Sequence, residues 1–293
     1  MKTRNLLLSL LIAGLLFGIM GCDESTEQDY REQIVLQGHM FINQPMSIRL
    51  THTLPFDAYY DPNAVNVSDA IVTIWSFDGS NTQEYHLTEV TQSPGTYRVQ
   101  EAGVDDTVRT GDLYSIRVEA NDGTILTAES GPAAPPIRFQ GVFYDTTELQ
   151  DYRDTVDVDT LEFGGYKPYG EPYLIFFWNH DDRREASNVV VQNLRPDWYD
   201  YEIEAAVVWE WPISFWSMHE GDAFAMPWLS VGFTGLHRLT VMSCDENAYN
   251  YYLTIIPGDP QNYPDSNVRG GLGLFTALDA DTIYFYLKDD IEE

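Results

Sequence analysis

The chain is poor in cysteine and poor in positive charge, and each shortage excludes something. Cys22 and Cys244 are its only two cysteines. A disulfide-stapled scaffold is therefore excluded, and so is a Cys-rich zinc module. Lys and Arg number 16 against 46 Asp and Glu, a formal net charge of −30. Such a balance keeps a surface solvated and repels phosphate backbones and anionic headgroups, which excludes DNA and RNA as partners. Catalytic signatures are missing as well. There is no H-E-x-x-H, no G-x-S-x-G, no Ser-x-x-Lys and no Gly-Lys-Ser/Thr phosphate loop. One long apolar run exists, Leu6 to Met20. It is shorter than the ~20 residues that a membrane-spanning helix needs.

What that run has is the layout of a secretory signal. Lys2 and Arg4 form a basic head, the apolar stretch comes next, and small residues precede Cys22. The tetrad "IMGC", Ile19 to Cys22, resembles the lipobox of bacterial lipoproteins. That resemblance implies removal of residues 1–21, a covalent diacylglyceryl group on the Cys22 thiol and an acylated new amino terminus. One acyl chain, at ~0.8 kcal/mol per buried CH₂, binds a bilayer only marginally, so two or three are needed for a stable anchor. The polar, acidic residues 22–32 then read as a flexible tether. Acidic residues directly after the cysteine resemble the export signal of Bacteroidetes surface lipoproteins. The expected location is a bacterial cell envelope, on the outer membrane, at its surface or its periplasmic face. With Cys22 lipidated, Cys244 has no intrachain partner. A lone cysteine reads as a small buried hydrophobe.

The mature chain reads as mainly β. "DAIVTIWSFDGS" alternates, with Ala70, Val72, Ile74 and Ser76 on one face and Ile71, Thr73, Trp75 and Phe77 on the other. Its "DG" marks a hairpin turn, with "QEYHLTEV" as the partner strand. "GDLYSIRVEANDGTILTAES" is a second hairpin, turning at Asn121-Asp122-Gly123. "QIVLQGHMFI", "MSIRLTHTL" and "GTYRV" supply further short strands. This spacing argues for an immunoglobulin-like or fibronectin-like sandwich over residues 33–136, ending in the Pro-rich "GPAAPP". Residues 137–293 read as a β-rich second domain. "IRFQGVFYD", "YLIFFWNHDD", "YEIEAAVVWEW" and "LSVGFTGLHRLTVMS" are its strands, around a long polar insertion with one helical turn. The period then changes. Ser243 and Glu246 stand at capping-box spacing, and an apolar stripe predicts one substantial helix over about 243–256. "SNVRGGLGLFTAL" and "DTIYFYLKDD" read as a closing pair of strands.

Several segments are candidates for chemistry. Five of the seven tryptophans fall between Trp198 and Trp228. Trp209, Trp211, Trp216 and Trp228 are candidate partner- or ligand-binding residues if exposed, and a buried aromatic core if not. Pro212 and Pro227 suggest a loop between them rather than a paired strand. In "NVRGGLGLF", Gly270, Gly271 and Gly273 read as a structural motif that permits a bulge, a tight bend or close backbone packing. Arg269 is a candidate for a polar contact there. His180-Asp181-Asp182 and His219-Glu220-Gly221-Asp222 are two His/acid pairs that could meet in three dimensions, although neither has zinc spacing. Asp151, Asp154, Asp157 and Asp159 lie in a solvated acidic loop that fails the EF-hand pattern. No metal, cofactor or catalytic residue is assigned.

The lipobox, the "V-x-D-A-x-V-x-I" strand with its "DG" turn, "GTYRV", "GDLYSIRVEANDGTILTAES", the late "YNYY" and above all "NVRGGLGLF" together resemble one family. It is the Bacteroidetes lipoprotein family called domain of unknown function 4249. The resemblance spans nearly the whole mature chain, which departs from the family in its long aromatic insertion and in Arg269. It implies a surface accessory lipoprotein, encoded beside TonB-dependent outer-membrane receptors, and supplies no catalytic residues. The expected function is non-enzymatic binding of such a receptor or of a ligand. Rival expectations are a surface hydrolase acting on glycans or peptides, and a structural, adhesin-like spacer.

Overall fold

A computed structural model of the chain describes residues 30–55, 58–61, 64–100, 103, 106–144, 148–151, 161–163, 174–183, 186–197, 214–219, 221–226, 234–254 and 264–287. Two compact units are present, residues 1–32 with 54–59 and residues 33–53 with 60–293. The first contributes only a few described residues. Every described strand and the described helix belong to the second.

The chain is mainly β. The strands are β1 (Ile34–Phe41), β2 (Ser47–His52), β3 (Ile71–Phe77), β4 (Thr82–Glu89), β5 (Thr96–Val99), β6 (Leu113–Glu119), β7 (Ile125–Glu129) and β8 (Phe139–Tyr144). They continue as β9 (Glu148–Asp151), β10 (Leu161–Phe163), β11 (Leu174–Trp178), β12 (Ala186–Asp197), β13 (Ser214–His219), β14 (Ala223–Met226), β15 (Thr234–Cys244) and β16 (Leu272–Leu287). A helix, α1 (Glu246–Thr254), lies between β15 and β16. The long sheet runs β13-β12-β15-β16-β1-β2-β5-β4-β3-β6-β7, with β10 also paired to β16. The shorter sheet runs β14-β11-β8-β9.

Alternation decides the faces of the first seven strands. On β3, Val72, Ile74 and Ser76 are buried, whereas Ile71 is 64 % exposed and Phe77 41 %. The hairpins form where short turn signals allow them, with β3 antiparallel to β4 and β6 antiparallel to β7. Residues from all seven strands share one apolar core with Val268, Phe275 and Ala277. A strand from the far end of the chain therefore completes the amino-terminal core.

That strand, β16, differs from the expected pair. The "DADT" at its middle reads as a turn, yet β16 is continuous over sixteen residues. Its carboxylates have other work. Asp279 Oδ2 accepts from the Ile137 amide at 2.9 Å and also from Arg138, and Asp281 Oδ2 accepts from the Phe139 amide at 2.8 Å. These residues dock the start of β8 onto β16 instead of reversing the chain. The first half of β16 is parallel to β1, from Val35↔Leu272 to Phe41↔Leu278. Its second half is antiparallel to β15, from Ser243↔Asp279 to Gly235↔Leu287.

The second half of β16 lies in a second core. Val189, Val191, Leu239, Val241, Ile283 and Phe285 of the long sheet face Phe139, Val142, Phe176, Trp178, Phe224 and Met226 of the short one. Phe176 meets Phe285 with ring centroids 5.5 Å apart. This is two sheets packed face to face.

Two further readings are corrected. The helix is capped by Asp245, not Ser243. Asp245 Oδ1 accepts from the Ala248 amide at 2.8 Å, while Ser243 belongs to β15 and its hydroxyl accepts from the Asp279 amide at 3.1 Å. The stretch between Pro212 and Pro227 is not a loop. Ser214–His219 pairs with β12 and Ala223–Met226 pairs with β11. A proline removes only its own donor, and the paired residues between the two prolines keep theirs.

Candidate functional site

The glycine motif lies where the long sheet meets itself. Thr127 of β7 and Arg269 exchange backbone hydrogen bonds, Thr127 N–H to Arg269 C=O at 3.1 Å and Arg269 N–H to Thr127 C=O at 2.8 Å. Arg269 thus makes its contact through its backbone. Three residues later the chain is β16, paired to β1. The segment must therefore pass between β7 and β1 at main-chain distance. A Cβ at Gly270 would strike the Ile125 carbonyl oxygen, one at Gly271 the Ile34 carbonyl oxygen, and one at Gly273 the Leu36 carbonyl oxygen. Gly270 and Gly273 also hold φ values of +85° and +116°, where a side chain is strained.

Asn267 fastens the turn. Its Oδ1 accepts from the Phe275 amide at 2.9 Å, and its Nδ2 donates to the Phe275 carbonyl at 2.7 Å and to the Glu129 carbonyl at 2.9 Å. The side-chain amide stands in for a strand residue. Ser266 Oγ donates to the Gly273 carbonyl at 2.8 Å. These donors do not cradle a phosphate, because they already serve carbonyls of the protein itself.

Asp245 is a second junction. Beyond capping α1, its carboxylate accepts from the Gly131 amide at 2.9 Å and from the Thr276 hydroxyl at 2.8 Å. It thereby ties the Pro-rich crossing segment, the helix and β16 together. Burial pushes its pKa up, against the opposing pull of those donors. Its neighbour Cys244 is buried, and burial raises that thiol to about 12. A nucleophile needs the opposite shift.

The structure brings the two His/acid segments together. His180 follows β11, and Asp222 precedes β14. The Trp178 amide donates to the Asp222 carbonyl at 3.0 Å, which sets the two turns side by side. His180 Nδ1 lies 2.5 Å from Asp222 Oδ2 and its Nε2 lies 2.8 Å from Asp182 Oδ1. Hydrogen bonds to Asp182 and then Asp222 raise the His180 pKa, so the ring favours the imidazolium form that donates from both nitrogens. Asp181 instead takes the Arg183 guanidinium at 2.9 and 2.7 Å. Chemically this is an exposed imidazole that holds its proton between two carboxylates. Both ring nitrogens are committed to carboxylates, which leaves none to ligate a metal or activate a nucleophile. Among the described residues no group of three or more His, Cys, Asp or Glu could hold a metal ion.

Trp216 lies in β13 opposite Val190 of β12. Trp209, Trp211 and Trp228 lie outside the described residues, as do Cys22 and Asp154, Asp157 and Asp159. β13 is the terminal strand of the long sheet, with β12 its one partner among the described strands. Two features escape a reading of the sequence. Asp245 reads as an ordinary acid before a helix, and only its position one residue after a strand hints at a cap. Asn267 carries no local signal, because its partners Glu129 and Phe275 are set by the fold.

Residues 23–283 match the profile of a family described as Domain of unknown function (DUF4249). No curated protein matches the chain. Among solved structures the chain is similar to the crystal structure of chicken CNTN1 FN1-FN3 domains, at 11 % identity, with 86 % of this chain and 66 % of that chain covered and a TM-score of 0.25. The chain spans just under two thirds of that relative's length, and a superposition this loose carries no argument about function.

Proposed function

The chain belongs to the DUF4249 family, and from that membership, together with the amino-terminal sequence, we propose that it is a lipid-anchored accessory protein of a bacterial cell envelope. One observation carries the reading. A basic head, a fifteen-residue apolar run and Gly21-Cys22 stand directly before an acidic stretch, and the first strand of the fold begins just afterwards at Ile34. Cys22 carries the diacylglyceryl group, and residues 22–32 are the tether. The protein binds a partner at the membrane, a TonB-dependent receptor, rather than transforming a substrate. Support for binding comes from the position of β13, terminal among the described strands of its sheet, since a terminal strand is where a partner strand adds. Further support comes from the tryptophans on either side of that strand in sequence.

Two experiments test this. Labelling with a radioactive fatty acid should mark the wild-type chain and not Cys22→Ala; label retained by the variant would end the lipid-anchor reading. Affinity capture of the full chain from gently solubilised native membranes should recover a TonB-dependent barrel in near-stoichiometric amount. Recovery of the chain alone would overturn the receptor-binding reading and leave the anchor untouched.

A further inference from the structure

The chain enters the amino-terminal core at Ile34, and the residues around that point form one end of it. Ile34 pairs with His52, the last residue of β2. Thr53 closes the pair, its amide donating to the Gln33 carbonyl at 2.9 Å and its Oγ1 accepting from the Gln33 amide at 3.0 Å. The consecutive Gly270 and Gly271 lie against the carbonyl oxygens of Ile125 and Ile34, so the first residue of β7 stands beside the first residue of β1. From β7 one row crosses the sheet, Ile125↔Glu119↔Ile71. Its two isoleucines point outward, 46 % and 64 % exposed, while Leu126 and Val72 beside them are buried. Glu119 between them takes the Arg117 Nε at 2.8 Å, which offsets its charge. The segment that leaves after Thr53 returns where the His52 amide donates to the Val65 carbonyl at 2.6 Å, and on it Tyr60 is 62 % exposed.

We propose that this end of the core rests on the bilayer, with Ile71, Ile125 and Tyr60 reaching its interface. The inference rests on the lipid anchor proposed above. Apolar residues exposed singly need no explanation; what sets these apart is their place at the anchored end. Residues 22–32 span at most about 40 Å, so Ile34 cannot leave the membrane by more than that. Phe77 and Leu113 face each other at the opposite end of β3 and β6, on the same outward face and also exposed. They lie about 20 Å farther along the strands. The tether thus selects between two apolar ends of one sheet face. It also holds the near end at high local concentration, so a contact too weak to recruit a free chain is made by an anchored one. Isoleucine suits the acyl boundary, and tyrosine suits the headgroup level with its ring inward and its hydroxyl wet. Asp69 and Asp122, both exposed, precede Ile71 and Ile125 by two and three residues. Such carboxylates are repelled by anionic lipid and tolerated by zwitterionic headgroups.

The test uses the lipidated full chain carrying Ile125→Cys, Ile71→Cys or Phe77→Cys. A polarity-sensitive fluorophore is attached under native conditions, where Cys244 is buried and Cys22 carries lipid. The chain is then reconstituted into vesicles of phosphatidylethanolamine and phosphatidylcholine with brominated acyl chains. Flotation with the vesicles reads the anchor, and quenching by bromine reads the contact. Labels at positions 125 and 71 should shift to the blue and lose most of their emission, while the label at position 77 keeps its own. Quenching absent at 125 and 71, or equal at all three positions, would overturn the surface while flotation leaves the anchor standing. A chain that does not float would overturn the anchor and this surface with it. Replacing part of the lipid with phosphatidylglycerol should weaken quenching at 125 and 71; unchanged quenching would overturn the preference assigned to Asp69 and Asp122.

Discussion

The two cores that share β16 are built to different rules. In the first, strand neighbours are often sequence neighbours and buried tyrosine hydroxyls find partners nearby, although the buried Arg49 Nε on β2 finds none among the described residues. Tyr97 is fully inside, and its hydroxyl donates to the Val67 carbonyl at 2.8 Å while accepting from the Ala70 amide at 3.0 Å. The Tyr114 hydroxyl accepts from the Arg109 amide at 2.8 Å. Turns are tied by their own acids. Asp78 accepts from the Ser80 and Asn81 amides, and Asp122 from the Thr124 amide. In the second core the ladders join distant segments, and polar tips end in apolar surroundings. Trp178 Nε1, Ser187 Oγ and His237 Nε2 are buried without a hydrogen-bond partner among the described residues. The first core is stabilised by satisfied geometry, and the second mainly by aromatic area. Substitutions should separate these two modes.

The largest expected effect is at the seam of the first core. Gly273→Ala adds one methyl where the Leu36 carbonyl oxygen already lies, at a φ of +116°. The backbone of β1 must move or the parallel ladder must break. We expect a loss of about 3 kcal/mol or more, from overpacking and backbone strain together. Chemical denaturation should show it as a lower midpoint with an unchanged slope. A midpoint within error of wild type would mean that the chain does not pass between β7 and β1 as described.

The same contrast decides how much of the molecule is legible in its sequence. The alternation at Val72, Ile74 and Ser76 and the "DG" turns are local, so the amino-terminal hairpins can be read from the sequence. The described helix can be read from its period, though Ser243 draws attention away from Asp245, the true cap. Closure of the first core by residues 267–277 cannot be read, because Arg269 and its partner Thr127 are far apart in sequence and carry no shared signal. Nor can the continuity of β16. Asp279 and Asp281 look like turn residues until the Ile137 and Phe139 amides that need them are in place. The meeting of His180 with Asp222 is half legible, since both His/acid pairs stand out and only the fold joins them.

An effect that is small at neutral pH and grows in acid is expected in the second core. His237 stacks on Phe285 with centroids 5.0 Å apart at 14°, and its Nδ1 lies 2.9 Å from the Gly235 carbonyl. Burial lowers its pKa to about 4. The folded state holds the ring neutral, while the unfolded chain takes up a proton near 6.5. Stability from this group is thus fully present above pH 6.5 and is lost as pH falls toward 4, at about 1.4 kcal/mol per pH unit within that window. His237→Phe keeps the stacked ring and removes both the buried nitrogen and its titration. It should be close to neutral at pH 7.5, and its advantage over wild type should grow between pH 6.5 and 4. Parallel stability curves for the two proteins across that range would show that the ring is not sealed in the core.

The smallest expected effect returns to the first core with the same substitution at another glycine. Gly123, in the turn between β6 and β7, has a φ of +85°, yet among the described residues no atom lies within 4 Å of the position its Cβ would take. Gly123→Ala therefore carries the left-handed strain without the collision. That strain costs about 1–2 kcal/mol, and the stiffer unfolded chain returns about 0.4–1 kcal/mol. The net loss should be between about 0 and 1.6 kcal/mol. The Asp122 carboxylate that accepts the Thr124 amide and hydroxyl stays in place to hold the turn. Subtracting this loss from that of Gly273→Ala isolates the cost of close strand approach from the cost of backbone conformation. If the two variants lose equally, conformation alone governs both glycines, and the packing of β16 against β1 contributes nothing of its own.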